Sequence, residues 1–510
     1  MNRTPLAAQN RAAAEPSVLG ALRSPRLLTR EVLAGLVVAL ALIPEAIAFS
    51  VIAGVDPKVG LFSSFIMAVT IAFVGGRPAM ISAATGAVAL VIAPVAPTYG
   101  MDMFIATVIL AGVFQILFAV SGVAKLMRFI PRSVMVGFVN SLAILVMLSQ
   151  LPHLIGVPWL VYPLVVFGIA ILLGFPKLTT AIPAPLIAVI VVTVVVVVAR
   201  IAVPTVGDQG ELPQSLPELF IPHVPLTWET FATIAPFAFA MALVGLMESL
   251  MTAKLVDEIT DTHSNKTRES WGQGVANMMS GLFGGMGGCA VIGQTMINVK
   301  ASGARTRIST FLAGVFLLVL VVALGDVVSL IPMAALVAVM IMVSIGAFDW
   351  HSIAPATLRR LPKSETFVML ATVALVVATH NLAVGVIGGV IVASVLFVRR
   401  VARVVDVQRE VSASDAASGI AEPSVRYTVT GELFFASSND LTTLFEYHRD
   451  PAHVVIDLTG AHVWDASTVA ALDAIETKYR QYGATVEFVG MNTVSRTMHA
   501  RLTGELGGSV

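Results

Sequence analysis

Two carboxylates stand where carboxylates are costly. Glu45 falls inside the apolar run 31–49 and Glu248 inside the apolar run 231–253. An acidic side chain in mid-span marks an ion path or a proton relay, unless it only bridges helices as a neutral structural group. A carboxyl in a low-dielectric setting can exchange a proton near neutral pH, so either residue could take up a proton as an anion arrives. Two short, broken apolar stretches supply the other half of that chemistry. In Pro78-Ala-Met-Ile-Ser-Ala-Ala-Thr85-Gly86, an extended approach should give way to a helix starting near Ala84 or Thr85. The run Gly287-Gly-Cys-Ala-Val-Ile-Gly293-Gln294-Thr295 repeats the pattern, with a helix starting near Gly293. Each such half-helix would expose unpaired backbone N–H groups and the positive end of its dipole. Two of them facing each other make an anion site without any lysine or arginine. The plainer reading is that the glycines only let helices pack closely.

The elements that must position these residues are membrane spans. The chain has 510 residues, 57% hydrophobic and 12% charged, with mean hydropathy +0.89, whereas soluble domains are about 25% charged. Apolar runs near the ~20 residues needed to cross a bilayer recur at 31–49, 59–74, 103–121, 133–151, 159–174, 182–203, 231–253, 306–325, 331–347, 366–379 and 383–398. With the broken stretches 78–96 and 282–303 and the small-residue run 270–286, the expected total is fourteen segments. Divided into sevens, the first span of each half carries one glutamate and the third is broken. An odd number per half makes the halves inverted repeats, with the central site at the breaks.

Charge orients the layout. With the N-terminus cytoplasmic, the basic residues of 1–410 all fall on the inner side except Lys58 and Arg200, as the bias of inner loops toward lysine and arginine requires. The first thirty residues carry five arginines and lack the pattern of a cleaved leader. Both termini are therefore expected in the cytoplasm and the protein in the cell membrane. The expected domains are an arm at 1–30, a transport domain at 31–405, a polar linker at 406–424 and a soluble lobe at 425–510. Residues 411–510 hold 12 acidic and 6 basic side chains. Strand-like runs at 424–435, 453–458 and 484–489 alternate there with helical ones at 440–447, 467–482 and 493–502, the pattern of a small α/β domain.

Nothing in the sequence suggests an enzyme. Cys289 is the only cysteine, which excludes a disulfide scaffold and reads as a small core residue beside the second break. The nine histidines show no metal-ligand spacing, and neither a metal nor a cofactor is expected beyond a coupling ion, H+ or else Na+. The lobe has no phosphate-cradling glycine loop, and no nucleic-acid partner is implied.

Stretch 35–65, GLVVALALIPEAIAFSVIAGVDPKVGLFSSF, resembles the signature of the sulfate permease (SulP) family of anion transporters, as do 131–151, PRSVMVGFVNSLAILVMLSQL, 277–285, NMMSGLFGG, and 299–309, VKASGARTRIS. Residues 454–475, VVIDLTGAHVWDASTVAALDAI, resemble the strand, turn and helix of the STAS domain that follows such transporters. The resemblance implies a core domain of spans one to four and eight to eleven, moving like an elevator against a gate domain. It also implies a homodimer and a lobe that binds cytoplasmic regulators. It places the substrate pocket on Phe49, Thr85, Gly86, Gly293, Gln294 and Thr295. Glu248 matches a position where sodium-coupled bicarbonate members hold a cation, with Thr252 one turn on and on the same face. Many relatives have a basic residue at the place of Gln294. Its loss tilts the expected cargo toward carboxylates or dicarboxylates over sulfate, bicarbonate or chloride, carried by proton symport. Sodium-coupled bicarbonate or sulfate symport and anion exchange are the alternatives, and a membrane sensor signalling through the lobe is the reading from another class. Ser467 matches a serine phosphorylated in bacterial anti-sigma-factor antagonists of the lobe's fold, although a serine at a helix start is more often an N-cap.

Overall fold

The structure is a computed structural model that describes residues 17–122, 130–178, 183–402, 404–412 and 423–504. Lys125, Arg128 and much of the N-terminal arm lie outside those residues. The chain forms two compact units that divide between residues 390 and 391. In the first, a short helix α1 (Val18–Arg23) leads into α2 (Pro25–Ile52) and α3 (Pro57–Val74). A two-residue strand β1 (Ser82–Ala83) then precedes α4 (Gly86–Ile92), α5 (Val95–Tyr99), α6 (Met101–Val120), α7 (Arg132–Leu148), α8 (Val161–Gly174) and α9 (Ala184–Val198). The long α10 (Trp228–Thr260) and α11 (Lys266–Leu282) are followed by a second two-residue strand, β2 (Cys289–Ala290). Next come α12 (Ile292–Met296), which runs on as a π-helical turn over Ile297–Ala301, then α13 (Arg307–Ala323) and α14 (Gly325–Ser329). The series ends with α15 (Met333–Ala347), α16 (Pro355–Arg360), α17 (Lys363–Thr379) and α18 (Leu382–Ala402), within which the division falls. Among the described residues, six helices are both long and apolar enough to cross a bilayer, α2 and α10 included, and shorter apolar helices accompany them.

Helices in lipid gain little from burying leucine, so they associate through close backbone approach and polar contacts. The contact of α6 with α11 shows the first. A methyl group on Gly112 would lie 2.5 Å from the Gly274 carbonyl oxygen, and one on Gly274 would lie 2.6 Å from that of Gly112. This explains how α11, polar for a span, belongs in the bundle. Polar contacts gather where α3 ends. Arg307 donates to the carbonyls of Ala72 and Gly75 (3.2 and 2.6 Å), and Arg268 to those of Phe73 and Val74 (3.0 and 3.1 Å). Cations are favoured at such a C-terminus. Buried Arg77 pairs with Asp257 at 3.2 Å, and buried Glu269 accepts the N–H groups of Gly76 and Arg77 (2.7 and 3.0 Å). Glu31 caps α13 from outside, accepting from Arg305 N at 2.8 Å and Thr306 N at 3.2 Å.

The second unit holds a four-stranded sheet in the order β3 (Asp406–Ser412), β4 (Ser424–Leu433), β5 (His453–Val463), β6 (Thr485–Val489). The β3–β4 pair is antiparallel and the other two pairs are parallel. Parallel neighbours need crossovers, supplied by helices α19 (Phe435–Leu441) and α20 (Ala466–Gln481), and α21 (Thr493–Leu502) closes the lobe. Three sequence expectations change. Residues 406–412, read as the start of a linker, are the edge strand β3, exposed along nearly its whole length; the rest of that linker, 413–422, lies outside the described residues. The helix expected over 440–447 is α19, earlier by five residues, because the strand before it stops at Leu433. Ser467 does not cap its helix: Asp465 is the N-cap and accepts from Thr468 N at 3.0 Å, which leaves Ser467 exposed as the second helical residue.

Tyr427 and Tyr479 are fully buried in the lobe, next to Phe445, Tyr447 and Leu472. Loss of water around the ring raises the Tyr479 phenol, with the Asp450 carboxylate adding to it, and burial pushes Tyr447 up to about 12. A phenol ionising near 10 in the unfolded chain and higher when folded favours folding below pH 10. That contribution is lost as pH rises through the folded value. The lobe is therefore expected to hold its stability to about pH 10 and to loosen between there and about 12, with tyrosinate absorbance appearing as it does. Tyrosinate appearing without any structural change would contradict this.

Candidate functional site

The two broken stretches meet. Strands β1 and β2 pair antiparallel, Ser82 opposite Ala290 and Ala83 opposite Cys289, so α4 and α12 start from one small ribbon and run away from it. Thr85 is the N-cap of α4, its hydroxyl accepting from Val88 N at 3.4 Å, and Val291 precedes α12. The start expected near Ala84 or Thr85 is thus at Gly86, and the one expected near Gly293 is at Ile292.

Backbone polar groups of a broken segment must find partners inside the membrane, and here small polar side chains provide them. Ala84 N donates to Ser64 Oγ (3.2 Å), Ile81 N to Thr295 Oγ1 (3.0 Å), Ala290 N to Ser249 Oγ (3.0 Å) and Gly288 N to Asn277 Oδ1 (2.8 Å). The Asn277 amide is itself fixed by Gln115 Oε1 at 2.9 Å. What remains are the first-turn N–H groups of Gly86 and Ala87 on α4 and of Ile292, Gly293 and Gln294 on α12, which lack intrahelical acceptors. Gly293 is exposed although it sits between spans, and a methyl group there would meet no atom within 4 Å. The space in front of α12 is open.

Two helices flank the ribbon. On α2, Glu45 and Phe49 share one face, four residues apart. Phe49 packs on α4, where a methyl group on Gly86 would come within 2.9 Å of the ring. Glu45 keeps partial access, and the Gln294 side-chain amide lies against its carboxylate. On α10, the Cys289 thiol donates to Glu248 Oε2 (2.9 Å), and its sulfur is 3.1 Å from Thr85 Oγ1. Glu45 therefore attends α12 and Glu248 attends α4.

Several expected site residues are drawn together: Phe49, Thr85 and Gly86 at one half-helix, Glu45, Gly293 and Gln294 at the other, with Glu248 bridged to Thr85. Two stand differently. Thr295 is committed to Ile81 N across the ribbon, and the Thr252 hydroxyl donates to the Glu248 carbonyl of its own helix at 2.8 Å. Sequence reasoning missed Cys289 as more than filler, along with Ser64, Ser249 and Asn277. Their signal was present as small polar residues inside apolar spans. A cavity of about 950 Å³ opens elsewhere, beyond the C-terminal end of α2, lined by Asp56, Lys58, Phe62, Glu211, Glu218 and Phe220 among others, with Lys58 and Glu211 in an ion pair.

Apolar helices packed around two half-helices that begin at a common ribbon, with donors open at the start of α12 and a carboxylate on each flanking helix, define a multi-pass membrane transport protein. The chain belongs to the sulfate permease family, which it matches over residues 28–162 and 158–372, and a STAS domain follows over 417–504. It is an anion transporter of that family, not an enzyme. The putative sulfate transporter YbaR of Bacillus subtilis (strain 168) is 49% identical over 470 residues, 92% of this chain and 96% of that protein. The solved transmembrane domain of the cyanobacterium bicarbonate transporter BicA is 25% identical, with TM-score 0.62 over 72% of this chain and 98% of that one. The murine Solute Carrier 26 family member A9 anion transporter in the inward-facing state shares the fold at 16% identity, with TM-score 0.79 over 93% of this chain and 87% of that one.

Proposed function

We propose that this protein is a secondary active transporter that moves a small inorganic oxyanion, sulfate foremost, together with protons. The observation that carries the reading is the pairing of two half-helix N-termini, that of α12 open and that of α4 lying under Phe49, with one carboxylate near each. Free N–H donors hold an anion, and a protonated glutamate lowers the net charge that must cross. The relatives are named for sulfate and bicarbonate, so the carboxylate preference drawn from Gln294 is given up. An oxyanion can be held by uncharged donors alone. Protons are favoured over sodium by the surroundings of Glu248. A hard cation wants several oxygens, but the carboxylate here meets a thiol, and the Thr252 hydroxyl is turned to its own helix.

The same reading includes the seven-plus-seven inverted repeat, elevator movement of the half-helices with α2 and α10, a homodimer, and both termini on the cytoplasmic side. Regulation would act through the STAS lobe, where Ser467 is exposed. Liposome uptake tests the transport step. Purified protein should accumulate labelled sulfate when an inward proton gradient is imposed. Glu45→Gln and Glu248→Gln should each lose most of that acceleration, on the order of tenfold if one charge-assisted contact is removed. Acceleration by sodium alone would defeat the proton reading, as would unchanged proton dependence in both variants.

A further inference from the structure

Gln294 has an unusual position. It is 1% exposed, it stands on the first turn of α12 next to the open Gly293, and its Oε1 has no hydrogen-bond donor among the described residues. Leaving a buried carbonyl unpaired costs about 1–3 kcal/mol, so the arrangement needs a reason. Its amide lies against Glu45. An ionised carboxylate only accepts, whereas a side-chain amide donates through nitrogen and accepts through oxygen. An ionised Glu45 therefore claims the Gln294 N–H2 and leaves the oxygen as the idle end. A protonated Glu45 can donate, and then the stable pairing is reversed.

We propose that Gln294 is the element that reads the proton on Glu45: protonation turns the amide over, so that Oε1 accepts from the acid and the N–H2 group becomes a donor to the anion at the α12 N-terminus. The proton comes from bulk water and stays on the carboxyl; no bond other than that O–H forms. This rests on the proton-coupled reading above and adds to it a specific link between proton and anion. Anion and proton then bind cooperatively by more than charge attraction, because a donor is presented only in the protonated state.

The groups around Glu45 leave it this role. No charged side chain is carried by α4, α9, α12 or α15, all packed against α2. On the other helices touching it, Lys58 pairs with Glu211 and Arg307 serves α3 carbonyls. Lys300 and Arg23 are exposed. Within α2, Arg26 and Arg30 are exposed and Glu31 caps α13. Glu248, on α10, is bonded to Cys289.

The test is sulfate binding by the full-length protein in lipid nanodiscs at about pH 5 and about pH 9, values that bracket a buried carboxyl. Removing the amide in Gln294→Leu should weaken binding by tenfold or more at the lower pH, the worth of one hydrogen bond to a charged group. At the higher pH the loss should be under about twofold, since there the amide is held by Glu45. In a Glu45→Gln background, where the neighbour is neutral at every pH, the Leu substitution should cost the same large factor at both. This double-mutant comparison isolates the coupling from the charge of Glu45 itself. An equal loss at both pH values in the wild-type background would overturn the switch and leave Gln294 a fixed donor. No loss at either would remove it from the site. Wild-type protein that binds no sulfate at either pH would overturn this and the transport reading together, a result distinct from the other two.

Discussion

Replacing Gly288 by alanine is expected to abolish sulfate uptake, while replacing Gly293 by alanine leaves the protein folded and only narrows the site. The two positions are five residues apart on one broken stretch, yet their surroundings are opposite. A methyl group on Gly288 would sit 1.9 Å from the Ala83 carbonyl oxygen and 2.6 Å from its carbon. Those are backbone atoms of the partner strand, so no rotamer change relieves the clash. The ribbon must open, and with it goes the Ser82–Ala290 and Ala83–Cys289 register that brings the two half-helices together. Overpacking costs typically 1–3 kcal/mol in a core that can adjust, and here the strained element carries the site. A displacement of about 1 Å in positioned groups is enough for an effect on the order of 100-fold. Uptake in liposomes, with size-exclusion behaviour as the check on folding, reads the difference. Gly293→Ala should keep a wild-type elution profile and lose affinity by several-fold, because its methyl group enters open space in front of the free N–H groups. Wild-type uptake by Gly288→Ala would mean that the ribbon is not what holds the half-helices.

That contrast marks how far the sequence could be read. Helix starts at the two breaks were legible within one or two residues, because glycine, proline and threonine punctuate a helix locally. The pairing of the breaks was not. Two-residue strands have no periodicity, and their partner lies more than 200 residues away. Nor was the role of Cys289, whose meaning depends on Glu248 and Thr85 arriving from two other helices. Thr252 shows the opposite error: helical spacing put its hydroxyl on the Glu248 face, but an interior threonine can return its proton to the carbonyl four residues back. The basic residues were read only as markers of orientation, whereas Arg268 and Arg307 also close the end of α3. In the lobe, strand β5 alternates buried and exposed positions and was found. Strand β3, DVQREVS with polar residues on both faces, looks like a linker because an edge strand need not bury either face.

The same edge strand carries the largest expected effect on stability. Asp450 has a fully buried side chain and gathers four donor groups from three residues in separate parts of the chain. Arg409 on β3 reaches its Oδ1 with Nη2 at 2.7 Å and Nε at 2.9 Å. The hydroxyls of Tyr427 on β4 and Tyr479 on α20 both donate to Oδ2, the former at 2.6 Å. Asp450→Ala would leave two buried phenols without their acceptor at once, at about 1–3 kcal/mol for each buried group left unpaired, and would free the part-exposed Arg409 guanidinium to water. Because Arg409 is the side chain that ties β3 to this centre, the strand should be the first element released. Hydrogen exchange on the full-length protein is expected to quicken along 406–412 and 424–430 by on the order of 100-fold, in keeping with local opening governed by that lost energy. Asp450→Asn, which keeps an acceptor for the tyrosines and drops the charge, should lie between. Arg409→Met, which keeps the stem and leaves Asp450 with its two phenols, should loosen β3 while sparing the helices packed on β5. If β3 exchanged at the wild-type rate in all three variants, its ladder of backbone bonds to β4 would be holding it unaided, and the Asp450 cluster would be a matter of the core alone.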